Sequence, residues 1–178
     1  KTGNPSGLLQ IIGKNLHKRM SNNIQGWRKL FLFSLGLFAG TAFCMKWMEK
    51  DFLFQGQLFT IIGLEISYSG DRLVEILSGI TPAVKQTLGY HLYFDFAFMA
   101  GVYPGIASLC MIARGKSRKG WLRQLLLILA IAQGIAWACD IIENIYLLNW
   151  IRNPASAGPF TTYHMVVLLK WILALTAA

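Results

Sequence analysis

Apolar positions in this chain fall into long unbroken runs rather than into one-sided stripes. "LFLFSLGLFAGTAFCM" from Leu30 is the first, bracketed by Arg28, Lys29 and Lys46. Because about 20 apolar residues make one membrane crossing, the runs predict spans near 30–48, 88–113, 121–148 and 160–178, with Pro104 allowing a kink in the second. The expected fold is therefore all-α, a polytopic membrane protein built as a bundle of four transmembrane helices. The longest connection, 46–87, lies between the first two spans. Its part "FLFQGQLFTIIGLEISYSG" is broken by glycines, as an interfacial or re-entrant segment would be. "SGDRLVEILSGITP" after it reads as a short helix, with Ser69 or Asp71 as its cap and Pro82 as its stop.

The first 29 residues follow a different pattern. In "GLLQIIGKNLHKRM", Leu8, Leu9, Ile12 and Leu16 share one helical side while Lys14, Lys18 and Arg19 lie elsewhere. This predicts a basic amphipathic N-terminal helix over 1–29 lying on an anionic membrane surface. Nucleic acid is a poor partner, because the aromatic interleaving it would want is missing. Gly40-Thr41-Ala42 would suit a signal-peptide cleavage site, but the basic lead is long for one and three more apolar runs follow. The first span therefore reads as a retained anchor.

Composition agrees with this division. Of 178 residues, 54% are hydrophobic, so the spans leave no room for a separate soluble domain. Cys44, Cys110 and Cys139 all lie in apolar runs without a C-x-x-C, which suggests neither a redox pair nor a thiolate zinc site. Charge sets the orientation. Residues 1–29 hold six Lys or Arg and the 114–123 turn five, neither with an acid, whereas 46–87 carries four basic and five acidic residues. The positive-inside rule then places both termini in the cytoplasm of a bacterial-type inner membrane.

Three acids remain, and all three fall inside apolar runs. Asp140 lies 19 positions after Trp121, and Asp95 lies 19 before Arg114, so each stands roughly 28 Å from the cytoplasmic edge at 1.5 Å per residue. Glu143 and Asn144 share the Asp140 stripe by i+3 and i+4 spacing. His91 and Tyr103 flank Asp95. Lys170 lies ten positions into the last span and leans outward, with His164 above it. A charge at a helix centre costs about 2.5–3.5 kcal/mol on insertion scales, so such residues face the bundle interior and mark functional candidates. The bland reading is an ion pair between Lys170 and Asp95 or Asp140 that only glues helices together.

"YFDFAF" from Tyr93, "VYPG" from Val102, "AWACDIIEN" from Ala136 and Lys170 together resemble a group of uncharacterised small bacterial four-helix membrane proteins. In that group a D-F-x-F start to one helix accompanies an A-x-x-D-x-x-E-N-like stretch on another. "GLEISYSG" resembles their Glu-containing upstream segment and adds Glu65. The resemblance spans roughly 63–175 and implies that the cluster is a site, without naming its chemistry.

The residues themselves suggest an outer-half pocket for a lipid head group or small polar ligand. Asp95, Asp140 and Glu143 would supply general acid and base chemistry in a lipid-modifying or hydrolytic activity, and Lys170 would hold an anionic head group. His91, Tyr103, Asn144, His164 and Glu65 would complete the binding set. Zinc through His91 and His164 is a further option, although no H-x-x-x-H or H-E-x-x-H supports it. Membrane lipids are the expected partners. The competing expectation is an accessory subunit or homo-oligomer that docks through the same charges, and which way Asp140 and Glu143 point separates the two. A proton-coupled carrier fits less well, since no inverted repeat is visible.

Overall fold

A computed structural model of the chain describes residues 5–67, 69–154 and 160–178, with side chains described for 24–66, 69–154 and 160–178. The expected amphipathic faces of residues 1–23 thus lie outside the described side chains, as do the 155–159 turn and Tyr68 of "GLEISYSG". The element order is α1 (Pro5–Met48), a 3-10 turn (Glu49–Asp51), β1 (Leu53–Phe54), β2 (Gln57–Leu58), a π-helical turn (Gly63–Ser67), α2 (Gly70–Gly79), α3 (Pro82–Lys116), α4 (Gly120–Arg152) and α5 (Phe160–Leu175).

Three helical segments, Ile24–Asp51, Pro82–Lys116 and Gly120–Arg152, are long and apolar enough to cross a membrane, and α5 is a shorter apolar helix. Only 11%, 33% and 28% of the most apolar stretches of those three are buried inside the protein. Leu32, Phe33, Phe43, Ile128 and Ile131 are among the large side chains left on the outside. So continuous an apolar surface is stable only where lipid covers it.

Two boundaries differ from the sequence expectation. The backbone of α1 runs without a break from Pro5 to Met48, joining the basic lead to the first span. α3 starts six residues before the expected Leu88. Thr81 caps it, its hydroxyl accepting from the Val84 N–H, and Pro82 takes the first helical position. Proline is at home there, because its missing N–H would have had no helical partner and its φ is preset. Pro82 therefore opens a helix as well as following one. The short helix before it is α2, capped by the Ser69 hydroxyl, which accepts from the Arg72 N–H.

α1 packs on α3, α3 on α4, and α4 on α5. The α1–α3 crossing uses small residues. Ser34 and Thr41 are buried on α1, and Gly101 and Gly105 of α3 meet Ser34. A Cβ on Gly101 would sit 2.7 Å from the Phe38 backbone nitrogen and 3.0 Å from the Ser34 carbonyl oxygen. This is the close backbone approach that a small-x-x-x-small pair permits between membrane helices.

The 46–87 connection folds back over one end of the bundle. β1 and β2 form a minimal hairpin, Leu53 opposite Leu58, turned by Gln55 and Gly56 at φ 52 and 75, the positive values a type I′ turn requires. Phe52, Phe54, Phe59, Ile61 and Leu64 pack with Leu73, Ile76 and Leu77 of α2 against Leu88, Leu92, Leu147, Trp150, Tyr163 and Val167 of the long helices. A smaller cluster around Met99, Tyr103 and Ala136 lies further down the bundle. The polar residues fall in the layer between these two apolar clusters.

Candidate functional site

Lys170 organises the site. It is 5% exposed, and its ammonium has three N–H donors. Three carboxylates from two elements face it: Glu143 of α4 at 2.6 Å, Glu65 of the π-helical turn at 3.1 Å and Asp140 of α4 at 3.2 Å. Spacing of i and i+3 puts Asp140 and Glu143 on one side of α4. Val167 and Tyr163, three and seven positions before Lys170, are buried with it on α5. An isolated charge at this depth would be prohibitive, and mutual pairing is what makes burial tolerable.

Hydrogen bonds extend the cluster to α3. The Tyr103 hydroxyl donates to the second Asp140 oxygen at 2.7 Å. Asn144 donates through Nδ2 to Asp95 at 2.7 Å. The Trp171 indole N–H donates to Glu65 at 3.3 Å. The π-helical turn that delivers Glu65 is itself held at two points: the Thr60 hydroxyl accepts from the Gly63 N–H, and the Tyr163 hydroxyl donates to the Leu64 carbonyl. A widened turn of this kind re-aims one side chain and is frequent at functional sites.

Beside the cluster lies a cleft of about 360 Å³. Its charged end is lined by Glu49, Glu65, His91, Asp95, Asp140 and Lys170. From there it continues along α3 past Phe98, Val102 and Ile106, and along α5 past Trp171, Ala174 and Leu175, to Ala178. From His91 to Ile106 is 15 residues, roughly 22 Å of helix. α1 contributes Met45 and the 3-10 turn after it Glu49 at the charged end, with Glu49 paired to the exposed Lys46 at 2.6 Å.

His91 is 1% exposed, it packs edge-on against Phe52, and among the described residues neither ring nitrogen has a hydrogen-bond partner. Buried polar atoms are rarely left so, and His91 lines the cleft. Asp95 is only partly buried and stands one turn from His91 on the same side of α3.

Of the residues read from the sequence, the structure gathers Glu65, His91, Asp95, Tyr103, Asp140, Glu143, Asn144 and Lys170 around one end of the cleft. It does not bring His164 there. That ring stacks on Phe160, with centroids 5.8 Å apart, and does not line the cleft. Among the described residues no group of three or more His, Cys, Asp or Glu stands close enough to hold a metal ion. Lys170, expected to hold an anionic head group, carries three carboxylates around its ammonium. The sequence reading passed over Trp171, Glu49 and the apolar run of the cleft; Trp171 adjoins Lys170, and only the fold turns it toward Glu65.

Compared with protein-family models, with curated proteins and with solved structures, the chain matches none.

Proposed function

We propose that the protein binds an amphiphile from the surrounding bilayer, with the polar head at the Glu65–Asp95–Asp140 end of the cleft and the chain along Phe98, Val102, Ile106 and Ala174. The observation that carries this reading is the cleft itself, which joins buried charge to a long apolar wall within one continuous space. Concave sites that bind small molecules share this makeup, a mostly apolar lining with a few fixed polar groups. Asp140, bonded to Lys170 and Tyr103, and Glu143, paired with Lys170, hold the site's shape. Asp95, with only a neutral amide donating to it, is the carboxylate placed to meet a ligand.

In this reading α5 is the fourth crossing and both termini are cytoplasmic. The charged layer then lies in the outer half of the bilayer, with the 49–80 segment as its cap. Docking of a partner subunit through Asp140 and Glu143 would need them on an outer face. They are 5% and 0% exposed, which weighs against that alternative.

Native mass spectrometry of the chain released gently from its membrane tests the reading. The expected result is one lipid-sized adduct per chain, lost when Ala174→Trp fills the apolar wall. A chain that never carries an adduct, or that emerges only within a larger assembly, contradicts it.

A further inference from the structure

We infer that the head group this cleft accepts is a protonated amine. The inference rests on the amphiphile reading above and gives its ligand a chemical class. Four carboxylates line the charged end, Glu49, Glu65, Asp95 and Asp140, and Glu143 joins them on Lys170. Among the described residues, the one cation lining the cleft is Lys170; it sits on Glu65, Asp140 and Glu143, while Glu49 is paired with Lys46. The group is thus short of positive charge, and Asp95 receives only the amide of Asn144. An anionic head group would add to the excess of negative charge, whereas a cation offsets it.

His91 provides an independent observation. Its ring is buried, lines the cleft and, among the described residues, has no hydrogen-bond partner at either nitrogen. A neutral imidazole always has one nitrogen that accepts a hydrogen bond. It stands four positions before Asp95, so the two share one side of α3. A primary ammonium brings three N–H donors, and this side of α3 offers it a carboxylate and a ring nitrogen one turn apart. Trp171 and Phe98 line the same space, and aromatic faces favour cations. The walls beyond are apolar, so the amine is expected to carry an alkyl chain.

Four probes separate the parts of this assignment in neutral maltoside micelles, read as apparent affinity from ligand-dependent thermal stabilisation of the full chain. Dodecylammonium should bind about tenfold or more tightly than dodecanol or dodecanoate, as an added charge-assisted hydrogen bond implies. Asp95→Asn should remove that preference. His91→Phe, which keeps the packing on Phe52 and deletes the acceptor, should weaken it, so the test survives if one variant fails to fold. Butylammonium should bind far more weakly than dodecylammonium. If the three twelve-carbon probes bind alike and Ala174→Trp abolishes all of them, the amine assignment falls and the amphiphile reading stands. If butylammonium binds as tightly as dodecylammonium, the ammonium site stands and the apolar wall plays no part. If none of the probes binds, both are wrong.

Discussion

The ammonium of Lys170 on α5 stands 2.6 Å from a carboxylate oxygen of Glu143 on α4, and the Glu143 side chain is wholly buried. No surface ion pair behaves as this one must. Exposed pairs contribute little because water competes for both partners, but here each charge depends on the other for its solvation. Removing Lys170 leaves Glu143 without its counter-ion, and Glu65 and Asp140 with it.

Lys170→Met should therefore lower stability by about 3–5 kcal/mol, the usual result of breaking a buried pair from one side. Combining it with Glu143→Gln should recover a large part of that loss, since the most deeply buried carboxylate is then neutral. Thermal unfolding of the single and double variants in one detergent reads both effects. Losses that simply add would mean that the two side chains are not coupled.

Tyr103→Phe deletes a single hydroxyl, the one donating to Asp140 at 2.7 Å. A hydrogen bond to a charged acceptor contributes about 1.5–3 kcal/mol. The same thermal measurement should show a loss in that range, smaller than that of Lys170→Met. An unchanged midpoint would mean that Asp140 does not rely on α3.

The α1–α3 contact makes a separate prediction. Gly101→Ala places a methyl against the Phe38 backbone, which cannot move aside as a side chain can, and should cost about 1–3 kcal/mol, as overpacking does. Gly36→Ala on α1 meets nothing within 4 Å and should be neutral or slightly stabilising, because alanine favours helix more than glycine does. Equal effects at the two positions would argue against a close crossing at Gly101.

Much of the charged layer could be read from the sequence because a helix is a ruler. Basic residues mark where a span ends and the rise per residue is fixed, so Asp95 and Asp140 could be placed at one level. Position around a helix was less well judged. His164 precedes Lys170 by six residues, about 240° around α5 at 100° each, which turns it away from the cleft. Tyr163, seven before Lys170, returns to the same side and is buried there. Glu65 came only from the resemblance, since nothing local announces that a π-helical turn will aim it at Lys170. Gly101-x-x-x-Gly105, within "GVYPG", was passed over as a close-packing signal. The cleft was not, because its walls are ordinary apolar residues whose meeting depends on how α1, α3 and α5 are arranged.

The central claim, that an alkyl chain lies along α3 and α5 below the charged layer, is tested most directly by a lipid carrying a photoreactive diazirine in mid-chain. The protein would be illuminated in its own membrane and the adducts mapped by peptide mass spectrometry. The account predicts adducts concentrated at Phe98, Val102, Ile106 and Ala174, and lost from them in Ala174→Trp. Labelling no denser there than at the outward-facing Ile128, Ile131 and Ile135 of α4 would contradict it.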